Sequence, residues 1–246
     1  ALSQGLSEDF GSALNEVKSR IGDDINVLII TGAGRAFCAG GDIKAMNQQK
    51  RTATDQRARL RASQPQILDV LNIELPVISL VNGAAAGAGA NLALAADFVF
   101  ATPRAMFMQA FGRIGLVPDW GGFYVLPRLV GLQKAKELVF TARKVGAEEA
   151  QAMGMVHTVV SESDAMAETR AFAARLALGS TTAMGMAKTI LNQSHNLDMR
   201  TLLEMEATAH GMCAGTDYHR EAVRRFSAKE PALYDWEASA ESDAQP

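Results

Sequence analysis

The side chain best suited to proton transfer is Asp119, set in Val117-Pro118-Asp119-Trp120-Gly121-Gly122. A carboxylate beside Trp120 and Phe123, with Phe111 upstream and little polarity nearby, is expected to be partly desolvated. Desolvation disfavours the charged form, raises the pKa and makes the carboxylate a better proton acceptor. A turn aspartate after proline has a second explanation, since such side chains often do no more than bond their own backbone.

A second stretch offers backbone chemistry. Val77 to Ala96, VISLVNGAAAGAGANLALAA, reads as a strand that passes through a small-residue turn with Gly83, Gly87 and Gly89 and then enters an apolar helix. Small residues there admit a ligand or another backbone at close range, and the first N–H groups of the helix have no partner within it. They carry partial positive charge that suits an anion. Tight packing of a helix on its own strand needs the same small residues, so this stretch alone does not choose.

Other chemistries find little support. The two glycine turns after strands, Gly32-x-Gly34-x-x-Phe37 and Gly87-x-Gly89-x-x-Leu92, both lack the third glycine of a dinucleotide fingerprint, and neither ends in the Gly-Lys-Ser/Thr of a P-loop. His157, His195, His210 and His219 contain no HxxxH pair, so no metal site is expected. No GxSxG elbow is present, which argues against a serine hydrolase.

The elements that must position these residues follow from composition and pattern. The chain has 246 residues, 48% hydrophobic, and a net charge of −3, which is ample for a large core. Cys38 and Cys213 lie far apart and form no CxxC pair, so a reducing, cytoplasmic setting is the simplest expectation. No apolar run reaches the roughly 18 residues of a membrane span, no secretory leader pattern opens the sequence, and no basic block suggests nucleic acid.

Leu6, Phe10, Leu14 and Val17 predict a helix to about Ile21, and Val27–Thr31 predicts a buried strand. RAFCAGGDIKAM reads as a loop followed by a short helix with Asp42 near its start, and Asn47 to Arg61 as a mobile polar segment running into a helix. Strands are predicted at 77–81, 98–101, 105–108 and 156–160. AFGRIGLVPDWGGFYVLPRLVG reads as a glycine-rich loop. Helices are expected at 132–141, 147–153, 164–178, 182–193, 199–213 and 217–226. Strands separated by helices make this an α/β chain.

The segments TGAGRAFCAGGDIKAM, PVISLVNGAAAGAGANLALAADFVFA, GRIGLVPDWGGFYVLPRLVG, AQAMGMVHTVV and RRFSAKEPALY resemble, in order and spacing from Ala1 to about Tyr234, the signature blocks of the crotonase, or enoyl-CoA hydratase/isomerase, superfamily. The resemblance implies one α/β domain over residues 1–246: a spiral of ββα units to about residue 190, then a helical region from about 191 that drives a homotrimer or a dimer of trimers. It implies an acyl-CoA substrate, with coenzyme A as part of the thioester and no separate cofactor. It also implies a missing first strand, and so a sheet edge exposed or differently covered.

Mapped onto this sequence, the family's two carbonyl-holding N–H groups fall on Gly41 and on Ala88, where relatives commonly have glycine. Ala39, Asp42, Ile43 and Lys44 match its CoA-binding segment, and Lys229 is a further candidate for the phosphates. The two glutamates used by hydratases are replaced by Asn91 and Phe111, so ordinary hydratase activity is expected to be weak. Asp119 falls where dienoyl-CoA isomerases, 1,2-epoxyphenylacetyl-CoA isomerases and 4-chlorobenzoyl-CoA dehalogenases place a catalytic aspartate, and the wording around it is most similar to the epoxyphenylacetyl-CoA isomerase group. The resemblance thus implies a single-base isomerase with Phe111, Trp120 and Phe123 shaping an apolar acyl pocket. The alternatives are a hydratase that activates water with Asp119 alone and a non-catalytic acyl-CoA-binding subunit.

Overall fold

Val77–Val81 is buried at every one of its positions, as expected of a strand covered on both faces. In the computed structural model, which describes residues 1–42 and 51–237, this strand belongs to one of two four-stranded sheets. The first sheet contains β1 (Leu28–Thr31), β3 (Val77–Val81), β5 (Phe98–Ala101) and β8 (Thr158–Val159), in the order β1-β3-β5-β8. The second contains β2 (Ala36–Cys38), β4 (Ala84–Ala86), β6 (Met106–Met108) and β7 (Lys144–Gly146), in the order β2-β4-β6-β7. From β1 to β6 consecutive strands alternate between the sheets, so β1-β2, β3-β4 and β5-β6 are successive turns of one spiral, and β7 then pairs antiparallel with β6 in the same sheet.

Parallel register holds these turns together: Ile78 pairs with Phe98 and Val81 with Ala101 in one sheet, Ala84 with Met106 and Ala86 with Met108 in the other. At the corner between β3 and β4 the turns stack so closely that a Cβ on Gly83 would lie 2.2 Å from the Arg35 carbonyl oxygen. The helix α1 (Gln4–Ser19) opens the chain, and α2 (Ala53–Asn72) and α3 (Ala88–Leu94) follow the first two strand pairs. After β6 come a 3-10 turn at Ala110–Ile114, α4 (Gly122–Thr141) and, beyond β7, α5 (Ala147–Ala152). The ββα repeat expected from the resemblance is present.

The chain divides into two compact units. The first is formed by residues 1–16, 29–71 and 77–169, and holds both sheets apart from Leu28 of β1. The second is formed by residues 17–28 and 72–76 and by the chain from Arg170 onward. It contains most of α6 (Ala165–Ala177) and all of α7 (Thr181–Gln193), α8 (Met199–Ala214) and α9 (Asp217–Ala228). Side chains that accept from the first-turn N–H groups set where these last three helices begin: Ser180 from Ala183, Asp198 from Arg200 and Thr201, and Thr216 from His219. No described helix is long and apolar enough to cross a membrane.

Several expectations need correction. RAFCAGGDIKAM is not all loop, because β2 lies in it and pairs with β4. β4 in turn occupies the stretch read as a simple turn before α3. Both strands are three residues long, too short for alternation to show. The polar segment before Arg61 is already helical from Ala53, where Thr52 and Asp55 exchange hydrogen bonds of 3.1 Å between side chain and backbone N–H; the Thr-x-x-Asp pattern was a readable start signal. The 110–131 stretch is not a continuous loop, since α4 begins at Gly122 despite Pro127, held by buried Val125 and Leu126, and is interrupted at Gly131 (φ 75, ψ 161). The short helix expected after Asp42 lies outside the described residues. His157 donates its backbone N–H to Val99 O at 2.7 Å, and its ring lies against those of Phe98 and Phe100.

Candidate active site

The first unit brings the two chemically suggestive stretches together. Ala88 is the first residue of α3, so its N–H has no partner within the helix. Gly87 before it takes φ 54 and ψ −125, with its N–H donating to Met108 O at 2.8 Å. The segment that ends in Gly41 runs against this corner. A Cβ on Gly40 (φ 83) would lie 2.5 Å from Ala86 O and 3.4 Å from Ala88 N, and one on Gly89 would lie 2.3 Å from Cys38 O. Leu2 bridges to Gly41 in parallel, with Leu2 N–H donating to Gly40 O at 2.7 Å; that bond does not engage the Gly41 N–H. Two backbone segments with uncommitted N–H groups therefore meet, and small residues permit the approach. The Phe111 ring is the nearest neighbour of the space beside Gly87, 3.6 Å from where a Cβ would be.

Asp119 begins a tight turn in which Gly122 N–H donates to Asp119 O at 3.0 Å. Trp120 (φ 48) and Gly121 (φ 74) are both left-handed, the combination of a type I′ turn. For a residue as bulky as tryptophan that conformation is uncommon and needs support from its surroundings. The Asp119 carboxyl is half-buried, and its Oδ1 is shielded from solvent with no hydrogen-bond partner. Burial pushes its pKa up to about 6, against the opposing pull of the Arg59 guanidinium. The expected desolvation is therefore present, and the carboxyl is poised to exchange protons near neutral pH.

Arg59, on α2, lines a cleft of about 430 Å³ together with Asp42, Gln66 and Trp120. Because its charge stabilises the ionised carboxylate, Arg59→Gln should move the Asp119 midpoint above its value near 6. Titration of the Asp119 carboxyl carbon by NMR reads this directly; a midpoint that stays or falls would refute the assignment.

Two amides complete the site. Asn91, fully buried on α3, donates from Nδ2 to Asp119 O at 2.7 Å. Gln109, 3% exposed between β6 and the 3-10 turn, donates from Nε2 to Asn91 Oδ1 at 2.8 Å. Asn91 was visible in the sequence only as a lost carboxylate. Gln109 was missed altogether, and its one available signal was a lone polar residue in the apolar run from Met106 to Phe111.

Of the residues proposed from the sequence, Asp42, Phe111, Trp120, Asp119, Gly41 and Ala88 all belong to this unit, as does exposed Ala39. Phe111 is buried and Trp120 half-buried, whereas Phe123 is 61% exposed and is not part of an enclosed pocket. Its place on the outer side of α4, one residue into the helix, accounts for the difference. Ile43 and Lys44 lie outside the described residues. Lys229 belongs to the second unit, as the left-handed C-cap of α9 (φ 55).

Comparison with known proteins shows the family and the fold. A probable enoyl-CoA hydratase of Rhodobacter capsulatus is 38% identical over 232 residues, covering 94% of this chain and 88% of the relative. The 1,2-epoxyphenylacetyl-CoA isomerase of Escherichia coli is 36% identical over 209 residues, covering 84% and 80%. Among solved structures, an enoyl-CoA hydratase/isomerase from Cupriavidus metallidurans superposes with a TM-score of 0.87 at 36% identity, covering 95% of this chain and 87% of that one. Residues 1–237 match the family described as Enoyl-CoA hydratase/isomerase, and this chain belongs to the enoyl-CoA hydratase/isomerase family.

Proposed function

We propose that the protein is an acyl-CoA isomerase in which Asp119 is the single acid/base. The observation that carries this reading is the half-buried Asp119 carboxyl, raised to about 6, in a site where the two other acid positions hold Asn91 and Phe111. The carboxylate removes a proton from the acyl chain, and the thioester carbonyl takes up the charge as an enolate. The N–H groups of Gly41 and Ala88 hold that oxygen, and the new carboxylic acid returns the proton to a different carbon. No water is added, so one carboxylate suffices. In this reading Phe111 and Trp120 face the acyl group, while Ala39, Asp42, Ile43, Lys44 and Lys229 contact the coenzyme A portion, and no further cofactor enters.

The reading extends to assembly and location. The exposed apolar side chains of the second unit, among them Phe226 (86% exposed) and Leu191, suit contacts between copies in a trimer or a dimer of trimers working in the cytoplasm.

The second reading, a hydratase that activates water through Asp119, is favoured by relatives that bear hydratase names. The two separate on crotonyl-CoA in deuterated buffer. Isomerase chemistry predicts deuterium incorporation into bound acyl-CoAs while the conjugated thioester absorbance of crotonyl-CoA persists; rapid loss of that absorbance would sink the isomerase reading. A protein that binds acyl-CoA without either reaction would be a binding subunit.

A further inference from the structure

We infer that Asn91 and Gln109 form a one-way amide relay that fixes the main chain of Asp119 and so positions its carboxyl for proton transfer. The inference rests on the acid/base role proposed for Asp119. Its geometry can be tested without that role.

The direction of the relay is dictated by chemistry. The Asp119 carbonyl can only accept, so Asn91 must turn its NH₂ toward it, at 2.7 Å. That leaves Asn91 Oδ1 facing Gln109, which must then present its own NH₂, at 2.8 Å. Reversing either amide would set two acceptors against each other. The far end, Gln109 Oε1, is consequently a buried acceptor without a partner in the structure. Both amides are shielded from water, where each bond is strengthened and each loss leaves an orphan.

The relay acts where the backbone needs support. Asp119 O also accepts from Gly122 N–H, so one oxygen receives two donors at the corner whose next residue, Trp120, has φ 48. The amide reaches that corner only because residue 122 is glycine: a Cβ there would lie 2.4 Å from Asn91 Nδ2. An ionised acid at 91 could not donate. It would set an oxygen against the Asp119 carbonyl. The turn would then lose this support.

Asn91 and Gln109 are positioning residues, so the test must distinguish positioning from simple packing. Asn91→Leu and Gln109→Leu keep approximate volume and remove donors. The expected result is a loss of about 10²-fold in kcat for proton exchange with KM little changed, the size of effect a misplaced catalytic group produces. In the absence of any acyl-CoA, the Asp119 carboxyl midpoint, followed by carbon NMR, should move from near 6 toward the ordinary carboxylate range as the turn loosens into solvent.

Gln109→Glu retains shape and can fold where the leucine variants do not. A protonated glutamic acid can donate to Asn91 and an ionised one cannot, so exchange by this variant should fall with rising pH through a new ionisation absent from the wild type. Unchanged kcat and unchanged Asp119 midpoint in the leucine variants, or a Gln109→Glu profile matching the wild type, would overturn the relay. If the wild type exchanges no acyl proton at all, the acid/base reading falls, and the substrate-free Asp119 midpoint decides the relay by itself.

Discussion

Asp119→Asn is expected to lower proton exchange into bound acyl-CoA by about 10²–10⁴-fold, the usual effect of losing a positioned general base. Binding of the acyl-CoA should be little affected, because asparagine has the size and shape of the protonated acid. The wild-type pH profile should carry the same signature. A base must be ionised to act, so kcat/KM should rise as pH increases through about 6 and level off above it. Stability should move the opposite way. Burial raises the folded pKa of Asp119 above its ordinary value of 3.8, so the favourable state is the protonated one. The wild type is relatively most stable below the unfolded pKa and loses that advantage as pH rises through about 6. Asp119→Asn should therefore melt at a higher temperature than the wild type at pH 8, with the gap closing toward pH 4. Undiminished exchange in the variant would remove Asp119 as the base, and a melting gap independent of pH would remove burial as the cause of its shift.

Ala88→Pro is expected to reduce kcat by about 10²–10³-fold, the effect of deleting one donor from an oxyanion hole. A backbone N–H cannot be removed by an ordinary substitution, but the position permits proline. Ala88 is the first residue of its helix, where proline is tolerated because that N–H makes no bond within the helix. Gly87 before it has ψ −125 and no Cβ, so the usual clash between proline and the preceding Cβ does not arise. Circular dichroism and melting should be nearly unchanged while proton exchange collapses. Wild-type kcat in a folded Ala88→Pro protein would show that this N–H does not hold the enolate.

Much of the site was legible because its signals are local. Asp119 could be singled out from its proline and aromatic neighbours, and its expected desolvation is reflected in the raised pKa. The corner at Ala88 could be read from consecutive small residues, and the need for them is visible in the 2.5 Å and 2.3 Å that separate hypothetical side chains at Gly40 and Gly89 from neighbouring carbonyl oxygens. The strands β2, β4 and β7, three residues each, lie beside glycine or alanine runs that read as turns, whereas the equally short β6 is marked by its run of Met and Phe. Phe123 was misread for a related reason: adjacency in sequence to Asp119 does not fix which side of α4 a residue takes, and this one is exposed.

Sequence by itself determined the family resemblance, the alternation of strands and helices, and the absence of carboxylates at positions 91 and 111. These depend on residue type and order along the chain. Only the tertiary structure decided that Asn91, Gln109 and Asp119, from a helix, a strand end and a turn, share one directed set of hydrogen bonds. The physical reason is that a hydrogen bond between residues 18 or 28 positions apart is fixed by the packing of whole elements, and no local propensity encodes which amide will face which carbonyl.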